Sequence, residues 1–259
     1  MADILKYLRL PEASRLSNLD NPENIRVLRH IIRRKPFLYK TYLRFYRDLL
    51  AHAENTPLDG LLVELGSGAG FIKSLNPSVV TSDILPYDGV DQVFSALDMP
   101  FDNNSVSAIV MIDVLHHIKD SRQFFDEVYR CLKPNGKLVM IEPANTAWSR
   151  FIYKRFHHEP FDTTGGWGFK DGGPLSGANM AIPWIVFHRD RRIFERDFPN
   201  LNIASISFHT PLLYLLSGGV SIKQLLPSWT YSNIRFVESI LSPLSDKLGL
   251  FTTIEIVKQ

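Results

Sequence analysis

Cysteine is nearly absent: Cys131 is the only one in 259 residues. No intramolecular disulfide can form, and the position of Cys131 on an apolar helical pattern reads as a small core residue in a reducing, cytoplasmic setting. Long hydrophobic runs are also missing. No apolar stretch reaches the length needed to span a bilayer, and the first residues lack the charged-then-apolar order of a secretion signal. Charge of either sign is in small excess only, since 29 Lys and Arg against 27 Asp and Glu leave a net +2. That excess is too small to argue for a nucleic-acid partner. There is no cysteine pair and no His-Glu-x-x-His helix, and neighbouring histidines on an extended segment would point apart, so no metal site is expected. Internal repeats and low-complexity tracts are absent too. One absence is local: between Arg26 and Arg47 there are eight Lys or Arg residues and no acid.

What is present begins with a 45% hydrophobic composition, enough for a large core and one elaborated α/β domain. Residues Leu61 to Leu65 form a short apolar strand ending in Gly66-Ser67-Gly68-Ala69-Gly70. Glycines at alternate positions let the backbone take positive φ and bring N–H groups against a ligand. The spacing is Gly-x-Gly-x-Gly, and Phe71 occupies the place of the last glycine in a dinucleotide fingerprint. A nicotinamide or flavin site is therefore disfavoured. A second strand pattern, Val79 to Asp83, ends in a carboxylate that can accept from both hydroxyls of a ribose. Ser95-Ala96-Leu97-Asp98-Met99-Pro100-Phe101 follows, then an apolar strand from Ala108 to Ile112 and the segment Asp113-Val114-Leu115-His116-His117. Phe124, Phe125, Val128, Tyr129 and Leu132 share one helical face. Lys133-Pro134-Asn135-Gly136 reads as a stop and turn before a strand from Lys137 to Glu142.

These five motifs, in this order over residues 60 to 143, resemble class I S-adenosylmethionine-dependent methyltransferases of the small-molecule, quinone-biosynthesis type. The resemblance implies an α/β fold with a Rossmann-like, mostly parallel sheet, an antiparallel C-terminal strand, N-terminal helices and cap insertions. It implies S-adenosyl-L-methionine as cofactor, with Glu64, Gly66, Ser67, Gly68 and Gly70 along the methionine and ribose and Asp83 on the ribose. Ser95, Ala96 and Leu97 would meet the adenine, and the backbone near Met111 and Ile112 the amino group of the cofactor. The chain departs from the family twice. Ser95 stands where an aspartate often precedes the alanine, and residues 84 to 91 are too few for a crossover helix, so a loop or single turn is expected there.

Outside this core, Asn21-Pro22-Glu23 reads as a helix start with Asn21 as N-cap. Pro36 breaks that helix, and a second runs towards the Asn55-Thr56-Pro57 breaker. Residues 1–56 are read as an N-terminal helical cap segment and 57–259 as the methyltransferase domain, with insertions at 144–188 and 209–248. Arg26, Arg29, Arg33, Lys40, Arg44 and Arg47 form one stripe if the helical phase survives Pro36. Such a stripe is either a solvated face or a surface for phosphates or an anionic membrane. The helices and insertions are expected to roof the carboxyl edge of the sheet, where open α/β folds bind ligands.

Methyl transfer from a sulfonium is a single in-line displacement that depends mainly on alignment. An oxygen or nitrogen acceptor must also lose a proton, and His116, His117, His157, His158 and Glu159 are the candidates, with a structural role for His117 as the competing reading. Trp167, Asn179, Trp184 and Arg191 are candidate substrate contacts, and Asp190 reads as a helix cap. The function indicated is methylation of a small or lipid-linked acceptor at oxygen, with possible peripheral attachment to an anionic membrane. Two alternatives stand beside it: a scaffolding protein that keeps the fold without turnover, and, more distantly, a dinucleotide-dependent oxidoreductase.

Overall fold

A computed structural model of the chain describes residues 7–16, 20–54 and 59–259. The Asn55-Thr56-Pro57 breaker and the segment boundary at 56/57 lie outside the described residues. Seven strands form one sheet: β1 Leu61–Leu65, β2 Val80–Asp83, β3 Gln92–Val93, β4 Val106–Ile112, β5 Leu132–Pro143, β6 Leu201–His209 and β7 Phe251–Lys258. Their spatial order is β3-β2-β1-β4-β5-β7-β6. β1 to β5 pair in parallel, and β7 runs antiparallel between β5 and β6. The order reverses between β1 and β4, so the crevice for a ligand opens beyond the carboxyl ends of those two strands.

Both faces of the central strands are covered, which is why they read as continuous apolar runs rather than alternating ones. On β4, Ala108 and Val110 face one way, and Ile109 and Met111 the other, each with 2% exposure or less. The first face is covered by α2, Pro36–Glu54, through Phe45, Tyr46 and Leu49. The second is covered by α3, Ser121–Cys131, through Phe124, Phe125 and Val128, with Cys131 buried among them. Thus α2 is a core layer of the sheet, not part of a roof. It occupies a face that the β1–β2 connection leaves open, because that connection holds only a short turn at Ile72–Ser74.

The helix α1, Asn24–Arg34, precedes α2, and the break falls at Lys35, so the basic stripe does not run on in one phase. Lys35 itself is buried, and its ammonium donates to the carbonyls of Gly219 and Ile222. Arg44 turns to Glu238. Asn21 Oδ1 accepts from Glu23 N at 3.0 Å, but Asn21 is not the N-cap expected from the sequence: the helix begins at Asn24, with Glu23 at the N-cap position and no side-chain capping bond. Residues 84 to 91 form the expected loop. Lys133 to Gly136 differ from expectation: they bulge within β5, where the pairing with β4 jumps from Leu132 to Lys137 and Asn135 takes φ 63°. Among the described residues no helix is long and apolar enough to cross a membrane.

The first insertion contributes α4, Ala147–Phe156, and a short helix α5 at Ile182–Trp184, and a π-helical turn at Ile185–Arg189 leads out of it into α6, Arg191–Asp197. The second contributes α7, Leu213–Ser217, α8, Tyr231–Leu241, and α9, Ser245–Leu248. Leu213 of α7 and Tyr231 of α8 pack on Phe37 of α2.

Candidate active site

Beyond β1 the chain turns back sharply at Gly66, where φ is +64° and a Cβ would stand 2.5 Å from Val114 Cγ2. Only glycine meets both conditions without strain. Gly68 N then donates to Asp83 Oδ2 at 2.9 Å, which ties the glycine turn to the end of β2. Asp83 also accepts from Leu85 N at Oδ1 (3.0 Å) and from the Tyr87 hydroxyl at Oδ2 (3.2 Å). Gly70 serves differently: a Cβ there would lie 2.0 Å from the Tyr46 hydroxyl, so it admits α2 rather than a ligand. Behind the turn Glu64 is buried, and its Oε2 makes no hydrogen bond of normal geometry. Burial pushes its carboxyl up to about 7, against the opposing effect of the Ser67 and Tyr46 hydroxyls.

A cavity of about 330 Å³ runs from this turn along the strand ends. Gly66, Gly68 and Asp83 line one part, and Ile84, Phe94, Ser95, Ala96 and Leu97 form an apolar slot beside them. Asp113, Val114 and His117 line another part, while Ile25 of α1 and Pro174 and Leu175 of the first insertion border it as well. Asp20 holds that rim together, accepting from Leu175 N (2.7 Å), Ser176 N (3.0 Å) and Ser176 Oγ (2.6 Å).

The segment after β4 is not extended. Asp113 takes φ 56°, and Leu115–His117 form a 3₁₀ turn that brings the rings of His116 and His117 to 4.3 Å between centroids. The expected divergence of the two histidines is therefore corrected by the turn. Glu142, fully buried near the end of β5, holds the turn from beneath: Oε1 accepts from Val114 N (2.8 Å) and Leu115 N (2.7 Å), and Oε2 contacts His116 Nδ1 at 2.7 Å. His117 Nδ1 is 2.9 Å from the Gly177 carbonyl. Glu159 closes the group, 3.4 Å from His116 Nε2 and 3.8 Å from His117 Nε2. Burial disfavours charge on His116, but its hydrogen bonds to Glu142 and Glu159 outweigh this and carry it up to about 10. Burial and the charge on His116 push His117 down to about 4, and burial pushes Asp113 up to about 7.

Of the sequence-derived cofactor residues, Gly66, Gly68, Asp83, Ser95, Ala96 and Leu97 line the cavity. Glu64 and Ser67 lie behind it. Met111 is fully buried in the core, and Ile112 packs on the α2 face, so the strand end is represented by Asp113 instead. The proton-handling candidates gather around Glu159: His157 Nδ1 accepts from Glu159 N and lies 3.8 Å from its Oε2, and the 62% exposed His158 is 3.7 Å from Oε1, but of the histidines only His117 lines the cavity.

None of the four proposed substrate contacts lines the cavity. Trp167 stacks among Phe125, Phe194 and Phe198 and donates to Asp190 at 2.9 Å. Asn179 ties Asp162 and the backbone of His116 together. Trp184 sits half-buried at the end of α5. Arg191 pairs with Glu195 on the surface at 2.8 Å. Asp190 stands at the start of α6 but does not cap it with its side chain, which pairs with Arg189 and Trp167.

Asp113, Glu142 and Asp20 went unassigned in the sequence. Asp113 had a readable signal, being the first residue beyond β4 as Asp83 is the last of β2. Glu142 had another, an acid inside an apolar strand, which needs buried partners.

Residues 63–140 match the family model described as a methyltransferase domain. This chain carries a methyltransferase domain. A demethylmenaquinone methyltransferase of Symbiobacterium thermophilum is 29% identical over 106 residues, which span 40% of this chain and 40% of that protein. The fold resembles that of a SAM dependent methyltransferase from Archaeoglobus fulgidus, with TM-score 0.51 and 11% identity over 84% of this chain and 94% of that one. A geranyl diphosphate C-methyltransferase from Streptomyces coelicolor aligns over 86% of this chain and 81% of that one, with TM-score 0.46 and 15% identity. The class I resemblance read from the five motifs agrees with the domain match and with the strand order.

Proposed function

We propose that this protein transfers the methyl group of S-adenosylmethionine to the oxygen of a small or lipid-linked acceptor. The observation that carries this reading is the single cavity shared by Gly66, Gly68 and Asp83, the Ser95–Leu97 slot, and the Asp113–His117 turn. Asp83 would hold the ribose, the apolar slot the adenine, and the glycine turn the methionine part, with Glu64 and Ser67 supporting the turn from behind. That arrangement directs the sulfonium methyl towards Asp113 and His117, where the acceptor enters. The acceptor's oxygen attacks the methyl carbon in line as its hydroxyl proton passes to water, the C–S bond breaks with both electrons going to sulfur, and S-adenosylhomocysteine leaves as the neutral thioether. Residues around His117 and Glu159 form the polar wall at which the acceptor's hydroxyl is placed.

A lipid-linked acceptor is favoured over a freely soluble one by the face of α8 and its flanks. Trp229, Phe236 and Ile240 are 76%, 67% and 61% exposed, and Val237 and Leu244 extend the same apolar surface. Arg235 and Lys247 are exposed beside them, and Lys40 of α2 reaches the Tyr231 ring at 5.2 Å. An apolar helical face edged by cations suits the interface of an anionic bilayer. Residues 24–54 then act in two parts: α1 as cavity rim and α2 as sheet layer.

The test is incubation of the purified chain with methyl-labelled S-adenosylmethionine and lipid extracts, with S-adenosylhomocysteine and labelled product followed by mass spectrometry. Label on oxygen in a lipid fraction supports the full reading. Cofactor binding without product from any extract would favour a scaffold that has kept the fold.

A further inference from the structure

We infer that His116, His117 and Glu159 form a binding site for one divalent cation of the zinc type, opening onto the cavity. One ligand atom from each of the three residues lies within 4.8 Å of the other two. His116 Nε2 is 3.4 Å from Glu159 Oε2, and His117 Nε2 is 3.8 Å from Glu159 Oε1. A tetrahedral cation with bonds of about 2.0–2.2 Å to nitrogen and oxygen holds its ligand atoms about 3.3–3.5 Å apart, so only a small contraction is needed.

Hydrogen bonding on the far side of each ring points the same way. His116 Nδ1 meets Glu142 Oε2 at 2.7 Å, and His117 Nδ1 meets the Gly177 carbonyl at 2.9 Å. Each Nδ1 therefore carries a proton, which leaves Nε2 of His117 an acceptor and makes Nε2 of His116 available to a cation once its proton towards Glu159 is displaced. Both Nε2 atoms are directed at the Glu159 carboxylate. A proton on His116 Nε2 can bridge one contact, but at 3.8 Å the His117 contact is too long for a hydrogen bond. One cation between the three groups satisfies all of them and displaces that proton. A carboxylate or carbonyl behind each ligating histidine is the usual support of a metal site, fixing tautomer and ring orientation. Two imidazoles and one carboxylate suit a borderline cation with a position left for an exogenous ligand. His117 lines the cavity, so that position faces the acceptor.

The role of the cation in catalysis rests on the methyltransferase reading, whereas the site itself does not. An acceptor hydroxyl coordinated there becomes more acidic and releases its proton to water. The oxygen then forms its bond to the methyl carbon as the C–S bond of the sulfonium breaks.

The experiment uses the full chain stripped with chelator, then titrated with Zn²⁺ by calorimetry and with Co²⁺ by visible absorption. One equivalent should bind, with the intense ligand-field bands of four-coordinate Co²⁺. His117→Ala and Glu159→Gln should each weaken binding at least tenfold, and Glu142→Gln about 10- to 100-fold through loss of support for His116. Circular dichroism and a cooperative urea transition like that of the wild type establish that the variants are folded, and replacement of the exposed His30 of α1, His30→Ala, controls for surface histidines. Failure of the stripped wild-type chain to bind one equivalent of Zn²⁺ or Co²⁺, or equal binding by His117→Ala and Glu159→Gln, overturns the site. Chelator-insensitive methyl transfer would remove the cation's catalytic role while leaving methyl transfer itself in place.

Discussion

At the Gly66 end of the cavity, each group that shapes the site stands at or within a few residues of the carboxyl end of a strand: Gly66 and Gly68 after β1, Asp83 closing β2, and Ser95 to Leu97 after β3. At the His117 end, the groups come from residues 113–117, 142, 159 and 177, and they meet only because β5 and the first insertion cross over the turn after β4. The first end is thus encoded by short segments with strong local preferences. The second is encoded by tertiary packing around one buried carboxylate. Substitutions at the first end should alter ligand affinity with local structural effects, whereas substitutions at the second should spread into the fold.

The largest expected effect follows from Glu142. Glu142→Ala strips Val114 N, Leu115 N and His116 Nδ1 of their shared acceptor inside the core, and a loss of about 3–5 kcal/mol is expected from urea unfolding. A loss below about 1 kcal/mol would show that the turn stands without support from β5, which would erase the contrast between the two ends.

Glu64 gives the next effect, through pH. Burial pushes its folded carboxyl up to about 7, above the 4.5 of a free glutamate side chain. The folded state therefore binds the proton more tightly. The resulting stability is fully present below about pH 4.5 and is lost as pH rises through about 7, with an upper size of roughly 3 kcal/mol. Comparison of wild type with Glu64→Gln across this range isolates the contribution, and parallel pH curves for the two proteins would contradict it.

Gly66→Ala should cost about 2 kcal/mol, because it combines a left-handed backbone with a Cβ pressed on Val114. Thermal melts and cofactor titration should both register it. The smallest effect is expected at Arg191→Ala. This surface pair with Glu195 lies away from the cavity, so stability should change by less than about 0.5 kcal/mol and turnover should be retained. A large loss of turnover there would restore Arg191 as a substrate contact.

Legibility in the sequence divides along the same line. The glycine turn and Asp83 were readable because positive φ, apolar strand runs and carboxylates at strand ends are local signals, whereas the Ser95–Leu97 slot followed from the family resemblance. At Met111 and Ile112 the expectation concerned backbone; their side chains belong to the strand's apolar run, and the polar lining of the cavity begins at Asp113. The tryptophans and Asn179 of the first insertion, and Arg191 just beyond it, looked like pocket residues. Composition cannot tell whether a ring faces a ligand or Phe125, Phe194 and Phe198, and here it faces the phenylalanines. The convergence of His116 with His117 depended on a 3₁₀ turn fixed by Glu142, 25 residues beyond His117. No window of sequence around the histidines contains that information. The role of α2 as a sheet layer was hidden for the same reason: its burial compensates for a short β1–β2 connection elsewhere in the chain.

The central claim is that the cavity between Gly66, Asp83 and Leu97 holds an adenosylated methionine. Titration calorimetry of S-adenosylhomocysteine against wild type and Asp83→Ala, with NAD as a control ligand, tests it most directly. The account predicts one site in the wild-type chain, affinity weakened by about 1.5–3 kcal/mol in the variant after loss of charged hydrogen bonds to the ribose, and no specific NAD binding. Equal affinity in the two proteins, or tighter binding of NAD than of S-adenosylhomocysteine, would contradict it.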